Sequence, residues 1–415
     1  GTVSASQSNN NVSLPDTVEF QGGTVYSPST DGMPGYTTKS NFVVPKGKSG
    51  TFYGSSRGSH TGKLLGEGTF TAYGAGVRCY WAGDWSQFEG TLVPALTKRG
   101  SYDATSFDFT SNKGLPKATL RLNSGVTFTP SSSIEIGNVT GTGTLAGTYT
   151  YTIGGTNQNT NVTFSSSAPI VKVGEGTMTI NTAGLLKGAL TVKAGELHFD
   201  SDGNTALIGG ALSAEGTATV VGAGKVASLT MKTGTQLSPR SLFFEETFGG
   251  LFPATVSSTA AMNFNKGSML NIIVSGTGEG EYSTLEPQYL TMNGTVKVTM
   301  ATGYTPKAGD MFSIWTAKGT YSGTPTFDLP GLPLGLAWDT SEVAQKTGVL
   351  SIVEVSIDAD VNADGAVTVA DLSTVIGAMT GSADADTKAR ADVNKDGKVD
   401  IADIIAVISL MTKSK

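Results

Sequence analysis

The residues best suited to chemistry stand in two short stretches near the carboxyl end. They read Asp360-Val-Asn362-Ala-Asp364-Gly365-Ala366-Val-Thr368-Val369-Ala370-Asp371 and Asp392-Val-Asn394-Lys-Asp396-Gly397-Lys398-Val-Asp400-Ile401-Ala402-Asp403, offset by 32 residues. Side-chain oxygens at positions 1, 3 and 5, glycine at 6 and a carboxylate at 12 are the spacing with which a loop wraps calcium, a hard cation taking about six to eight oxygens. Gly365 and Gly397 permit the sharp turn, Ala366 and Lys398 offer a backbone carbonyl at position 7, and Thr368 and Asp400 offer side-chain oxygens at position 9. Asp371 and Asp403 close the two shells, one methylene shorter than glutamate would be. A solvated acidic turn explains one such loop but not two in register. From 358 to 415, ten Asp face five Lys and one Arg, so −4 of the chain's net −6 lies in this stretch. Crowded carboxylates repel one another without a cation, so two Ca2+ ions are expected and their binding should be linked to folding.

Each loop needs an element to hold it. Leu372, Val375, Ile376 and Met379, and again Ile404, Val407, Ile408 and Met411, fall at i, i+3, i+4 and i+7, which predicts an amphipathic helix leaving each loop. Ahead of Asp360, Ser351-Ile-Val-Glu-Val-Ser-Ile357 alternates as a strand does, so no helix is expected to enter. Tandem loop-and-exit-helix units ending in aspartate resemble the type I dockerin, and the likeness covers residues 358–415. That resemblance implies calcium as cofactor, a cohesin-like protein partner and polysaccharide utilisation as the setting. Positions 10 and 11 of such loops commonly meet the partner. Here they are Val369-Ala370 and Ile401-Ala402, apolar in both repeats, a departure that leaves open both the partner and packing against the upstream chain.

The upstream text is different. Fifty-five glycines among 415 residues, only 15% charged residues and abundant Ser, Thr and Asn point to turn-rich β structure. Residues 1–20 read as a polar, flexible lead-in. Over 21–240 one template recurs, as Leu120-Arg-Leu122-Asn-Ser-Gly125, Leu190-Thr-Val192-Lys-Ala-Gly195 and Leu229-Thr-Met231-Lys-Thr-Gly234. Gly188-Ala-Leu190-Thr-Val192 recurs 22 residues on as Gly210-Ala-Leu212-Ser-Ala214 and Leu229 follows 17 after Leu212, a loose period of 17–22 residues that matches one coil of a stacked β-solenoid. Alternation directs Leu190 and Val192 inward and Thr191 and Lys193 outward. Recurrent Gly-Thr openers such as Gly143-Thr-Leu145 and Gly176-Thr-Met178 resemble autotransporter-associated β-strand repeats, which implies a secreted right-handed β-helix. From 241 to 355 the residues are bulkier and the strands longer, which suggests a β cap or small β-sandwich covering the last open edge. The expected fold is thus mainly β, a right-handed parallel β-helix or solenoid with a β-sandwich-like cap. A small all-α calcium-binding domain follows over 356–415.

Other chemistries are poorly supplied. A lone Cys79 allows no internal disulfide, and with only His60 and His198 a multi-histidine metal centre is excluded. Both histidines are expected on exposed strands or loops, and a Cys79–His60 nucleophile pair has no supporting motif. The densest aromatic cluster, residues 80–89, offers Trp81, Asp84 and Trp85 as a platform for a polysaccharide or host glycan; the competing reading makes it a core plug. A polysaccharide lyase or glycoside hydrolase, or an accessory segment of one, would need clustered carboxylates. Only Asp200-Ser-Asp202 and the Asp84/Glu89 pair come near that, so a non-catalytic adhesive or spacer protein is the leading expectation. Net negative charge argues against nucleic acid. No apolar run approaches the ~18 residues of a membrane span. The first residues do not read as a signal peptide, an expectation that leaves room for one upstream of Gly1. The setting expected is a bacterial exterior, secreted or at the cell surface.

Overall fold

The computed structural model describes residues 2–413 except 5, 9, 10, 28–35, 76, 77, 100, 101, 104, 105, 183, 201–206, 243, 244, 247, 248, 334 and 356–358. The chain is mainly β, with strands paired in parallel into long sheets and three helices at the carboxyl end.

The repeated template is the key to the pairing. In its later copies the first apolar residue is matched from strand to strand, so that Ile134, Tyr151, Ile170, Leu190, Leu212, Leu229, Met262, Leu290 and Tyr321 form one register column, whereas Leu120 pairs with Leu92 and Val139 in another. A second column runs Thr160, Met178, Leu197, Val220, Leu237, Leu270, Val296 and Phe327. Nearly all of these side chains belong to a single continuous core. Each fully buried Leu, Phe or Met contributes roughly 1.5–3 kcal/mol. Leu190 and Val192 are buried, and Thr191 and Lys193 lie on the outer side, as alternation predicts. The template glycines turn the chain with positive φ, 78° at Gly125, 66° at Gly195 and 87° at Gly234. At Gly195 a Cβ would lie 2.6 Å from the carbonyl oxygens of Gly174 and Gly176, so the neighbouring turn also excludes a side chain there.

Towards the amino end the core is aromatic. Trp81 stacks on Phe107 at 5.1 Å, Phe107 on Phe128 at 5.7 Å, and Trp85 meets Phe109 edge-on at 5.6 Å. Ordered pairing starts before residue 21. Thr2–Ser4 pairs in parallel with Thr24–Tyr26, and Thr17–Glu19 with Asn41–Val43, so strands occupy the expected flexible lead-in. A neighbouring strand supplies backbone partners whatever the side chains are, and polar text is therefore no bar to a strand.

The pairing does not change at 241, where the texture of the sequence does. Parallel register continues through Ala261–Phe264, Tyr289–Met292 and Thr326–Asp328. The antiparallel layer is smaller than a β-sandwich: Thr347–Glu354 pairs with Met311–Thr316 on one side and Leu336–Asp339 on the other. Leu285 still pairs in parallel with Trp315, so this layer is joined to the parallel stack. The reason lies in the columns, because Leu270, Val296 and Phe327 prolong the same inward row that begins upstream.

The helices, Val369–Met379 (α1), Ala385–Ala391 (α2) and Ile401–Lys413 (α3), enclose a separate small core. It is duplicated like the sequence. Ala359, Val361 and Val375 have Ala391, Val393 and Val407 as their counterparts 32 residues on, all buried.

Candidate functional site: two oxygen-rich loops

Both loops fold through the same hydrogen bonds. In the first, Asp360 accepts from the backbone N–H of Asp364 at 3.0 Å and of Gly365 at 2.8 Å. Asn362 Oδ1 accepts from Asp364 N–H at 2.9 Å, and Asp364 Oδ1 from Ala366 N–H at 3.0 Å. In the second, Asp392 accepts from Asp396 at 3.1 Å and Gly397 at 2.9 Å, Asn394 from Asp396 at 3.0 Å, and Asp396 from Lys398 at 2.9 Å. These bonds curl the chain so that side-chain oxygens line its inner side, and they need left-handed backbone at Ala363 and Lys395 (φ 59° and 58°) and at the following glycines (88° and 86°).

The closing carboxylates have two tasks. Asp371 is fully buried; its Oδ1 accepts from Asn362 N–H at 3.0 Å and its Oδ2 from Thr368 N–H at 2.8 Å. Thr368 Oγ1 in turn accepts from Ala370 N–H at 3.1 Å, so Thr368 and Asp371 form a capping box on α1. Asp403, also fully buried, bonds Asn394 N–H at 3.1 Å and Asp400 N–H at 2.8 Å, and Asp400 caps α3 through Ala402 N–H at 2.8 Å. The residue that closes the loop therefore also starts the helix, which ties loop shape to helix register.

The donors are hard oxygens throughout: carboxylates of Asp360, Asp364, Asp371, Asp392, Asp396, Asp400 and Asp403, the amides of Asn362 and Asn394, the Thr368 hydroxyl and the carbonyls of Ala366 and Lys398. This set fits Ca2+ and suits neither zinc nor copper. Among the described residues no three His, Cys, Asp or Glu side chains already converge into a finished cage. A carboxylate oxygen that accepts one amide keeps a further lone pair for a cation.

The helices divide their apolar stripes. Val375 and Val407 are buried, and Leu372, Ile404 and Met411 pack partly against them. Ile376, Met379 and Ile408 face outward, against expectation. Val369 and Ile401 are 64% and 67% exposed, Ala370 is exposed and Ala402 half-buried, so positions 10 and 11 lie at the surface in both repeats. Short helix α2 runs into the second loop, an element that the apolar spacing of the sequence did not indicate. Asp384, which caps it by accepting from Thr387 N–H at 2.7 Å, was the available signal.

The remaining candidates are not brought together. Trp81 and Trp85 are fully buried, and Trp85 Nε1 donates to Gly62 O at 3.3 Å, so neither ring presents a face to a sugar. Asp84 accepts from the Ser86 hydroxyl at 2.7 Å and its N–H at 3.1 Å; these bonds hold its carboxyl below the usual range. The cluster is a core plug. Glu89 pairs with Lys117 at 2.9 Å instead of forming an acid/base pair with Asp84. Asp200 accepts from Ser241 Oγ at 2.9 Å, and Asp202 lies outside the described residues. His60 is buried, contrary to expectation, and shares with Cys79 a small space that has no room for a substrate. His198 is half-buried and bonds Glu196 at 2.6 Å.

Tandem calcium-type loops, each opening on a capped helix, define a small module of the loop–helix class. Compared with known families, residues 358–411 match the dockerin type I domain. Domains of this family bind calcium and dock onto cohesins, and proteins that bear them are typically extracellular or cell-surface bacterial proteins. No curated protein matches the chain. Among the described residues no helix is long and apolar enough to cross a membrane.

Proposed function

We propose that the parallel strands coil into a right-handed β-helix, and that this shaft is a non-catalytic spacer of a secreted or cell-surface bacterial protein. The dockerin segment holds two Ca2+ ions and docks the shaft to a cohesin-like domain through Val369, Ala370, Ile401 and Ala402. The register columns, with one apolar residue contributed by each successive strand, support the shaft. Burial of Trp81 and Trp85 favours a spacer over a glycan-binding surface. The observation that carries the docking role is the pair of matching loop networks beside exposed apolar residues at positions 10 and 11. An apolar contact row predicts a partner with an apolar seat and binding that depends little on salt.

Titration calorimetry of the full chain against a panel of cohesin domains tests this. Binding is expected with calcium and lost with chelator, and Asp371→Ala with Asp403→Ala should weaken both calcium and cohesin binding by about a hundredfold. Cohesin binding that persists undiminished in chelator would overturn the reading.

A further inference from the structure

A groove of about 470 Å³ lies beside the second repeat. One wall is the second calcium loop and α3, with Asn394, Asp396, Ala402 and Ile405; the other is the turn 330–333 and the strand Leu336–Asp339. The β wall is stiff. Two prolines restrict its backbone, Trp338 Nε1 donates to Pro330 O at 2.9 Å, and Leu336 N–H donates to Pro333 O at 3.1 Å. Ile405 lines the groove yet is 57% exposed, and Trp338 is only half-buried, so the two apolar surfaces flank open space and do not bury each other.

The two repeats differ at this point. The apolar residues at positions 10 and 11 match between the repeats, but the counterpart of Ile405 is the exposed Ser373. The second repeat is thus more apolar where the β wall stands, and no residue of the first repeat lines the groove. We propose that the docking surface is composite. The protein partner seated on Ile401 and Ala402 continues over Ile405 onto the shelf of 330–333 and 335–338, placing an aliphatic or aromatic side chain between Ile405 and Trp338. Continuity with the exposed row on α3 selects this occupant. A few aliphatic residues fall short of the ~800 Å² per partner of a stable interface, and the rigid shelf enlarges the seat at small entropic cost. The proposal rests on the docking role given above. It adds that the second repeat, not the first, is the favoured face.

The test uses the full chain in saturating calcium with the cohesin domain that binds it best. Pro333→Asp and Trp338→Ala are each expected to weaken binding about tenfold or more, with Ile401→Ser costing more than Val369→Ser. Pro333 is exposed, so its variant carries the test if Trp338→Ala fails to fold. Unchanged affinity in Pro333→Asp, with Ile401→Ser and Val369→Ser equally weakened, overturns the shelf and leaves the docking role standing. If no cohesin binds the unaltered chain, the docking role falls and takes the shelf with it. Calcium-dependent self-association abolished by Pro333→Asp would assign the groove to a second copy and also overturn the proposal.

Discussion

His60 illustrates how a half-satisfied buried group makes stability depend on pH. Its Nε2 donates to Ser40 O at 3.0 Å and its ring stacks on Phe42 at 4.4 Å, while Nδ1 has no partner among the described residues. Burial pushes the imidazole down from 6.5 to about 4. The unfolded chain therefore takes up this proton before the folded one does as pH falls. The contribution is present in full above pH 6.5 and is lost as pH drops towards 4, by up to about 3 kcal/mol. Urea unfolding of the full chain should show the β transition weakening across that window, and His60→Phe should flatten the part due to this residue. Identical pH profiles for the two proteins would refute the assignment. The same buried neighbourhood explains why Trp81 and Trp85 serve the core and not a ligand.

At the scale of the strand, the inward column tolerates one cation for a specific reason. Lys172 pairs with Ile153 and Val192, both apolar, and is itself buried. Its Nζ donates to Gly174 O at 2.9 Å, Ala194 O at 2.8 Å and Val173 O at 3.4 Å, so it caps carbonyls at the corners of two successive strands. Burial lowers its pKa despite Glu175 and Glu196 nearby. Lys172→Met keeps the stem but leaves those carbonyls without their donor, and should cost roughly 1–3 kcal/mol in a denaturant midpoint measurement. A neutral effect would mean that water replaces the ammonium. The loop–helix elements were legible from sequence because spacing within twelve residues decides them. Helix α2 was not, since seven residues with only Leu-free, alanine-rich text give no apolar periodicity.

For the whole molecule, two separate cores imply two unfolding units. Calcium held at ~1,000 times its dissociation constant adds ~4 kcal/mol to the unit that binds it. Differential scanning calorimetry should show chelator lowering the transition of the small helical unit while that of the β stack is unmoved. A single transition, shifted as a whole by chelator, would show instead that the two units melt together.

By itself the sequence declares its calcium-type loops, its alternating strands and the glycine at each corner. These are local patterns: loop spacing, period-two alternation and positive φ are set within a few residues. What the tertiary structure alone decides is how far the ladder extends beyond the repeated template and which rings go inside. Parallel register running past 241, paired strands before residue 21 and the burial of His60, Trp81 and Trp85 depend on neighbours 21 to 33 residues away. The groove between the shelf of 330–333 and 335–338 and the second repeat depends on contacts still more remote in sequence. No local pattern encodes such distances, because a parallel ladder offers the same backbone partners to any strand, and only the fit of side chains in the shared core selects among them.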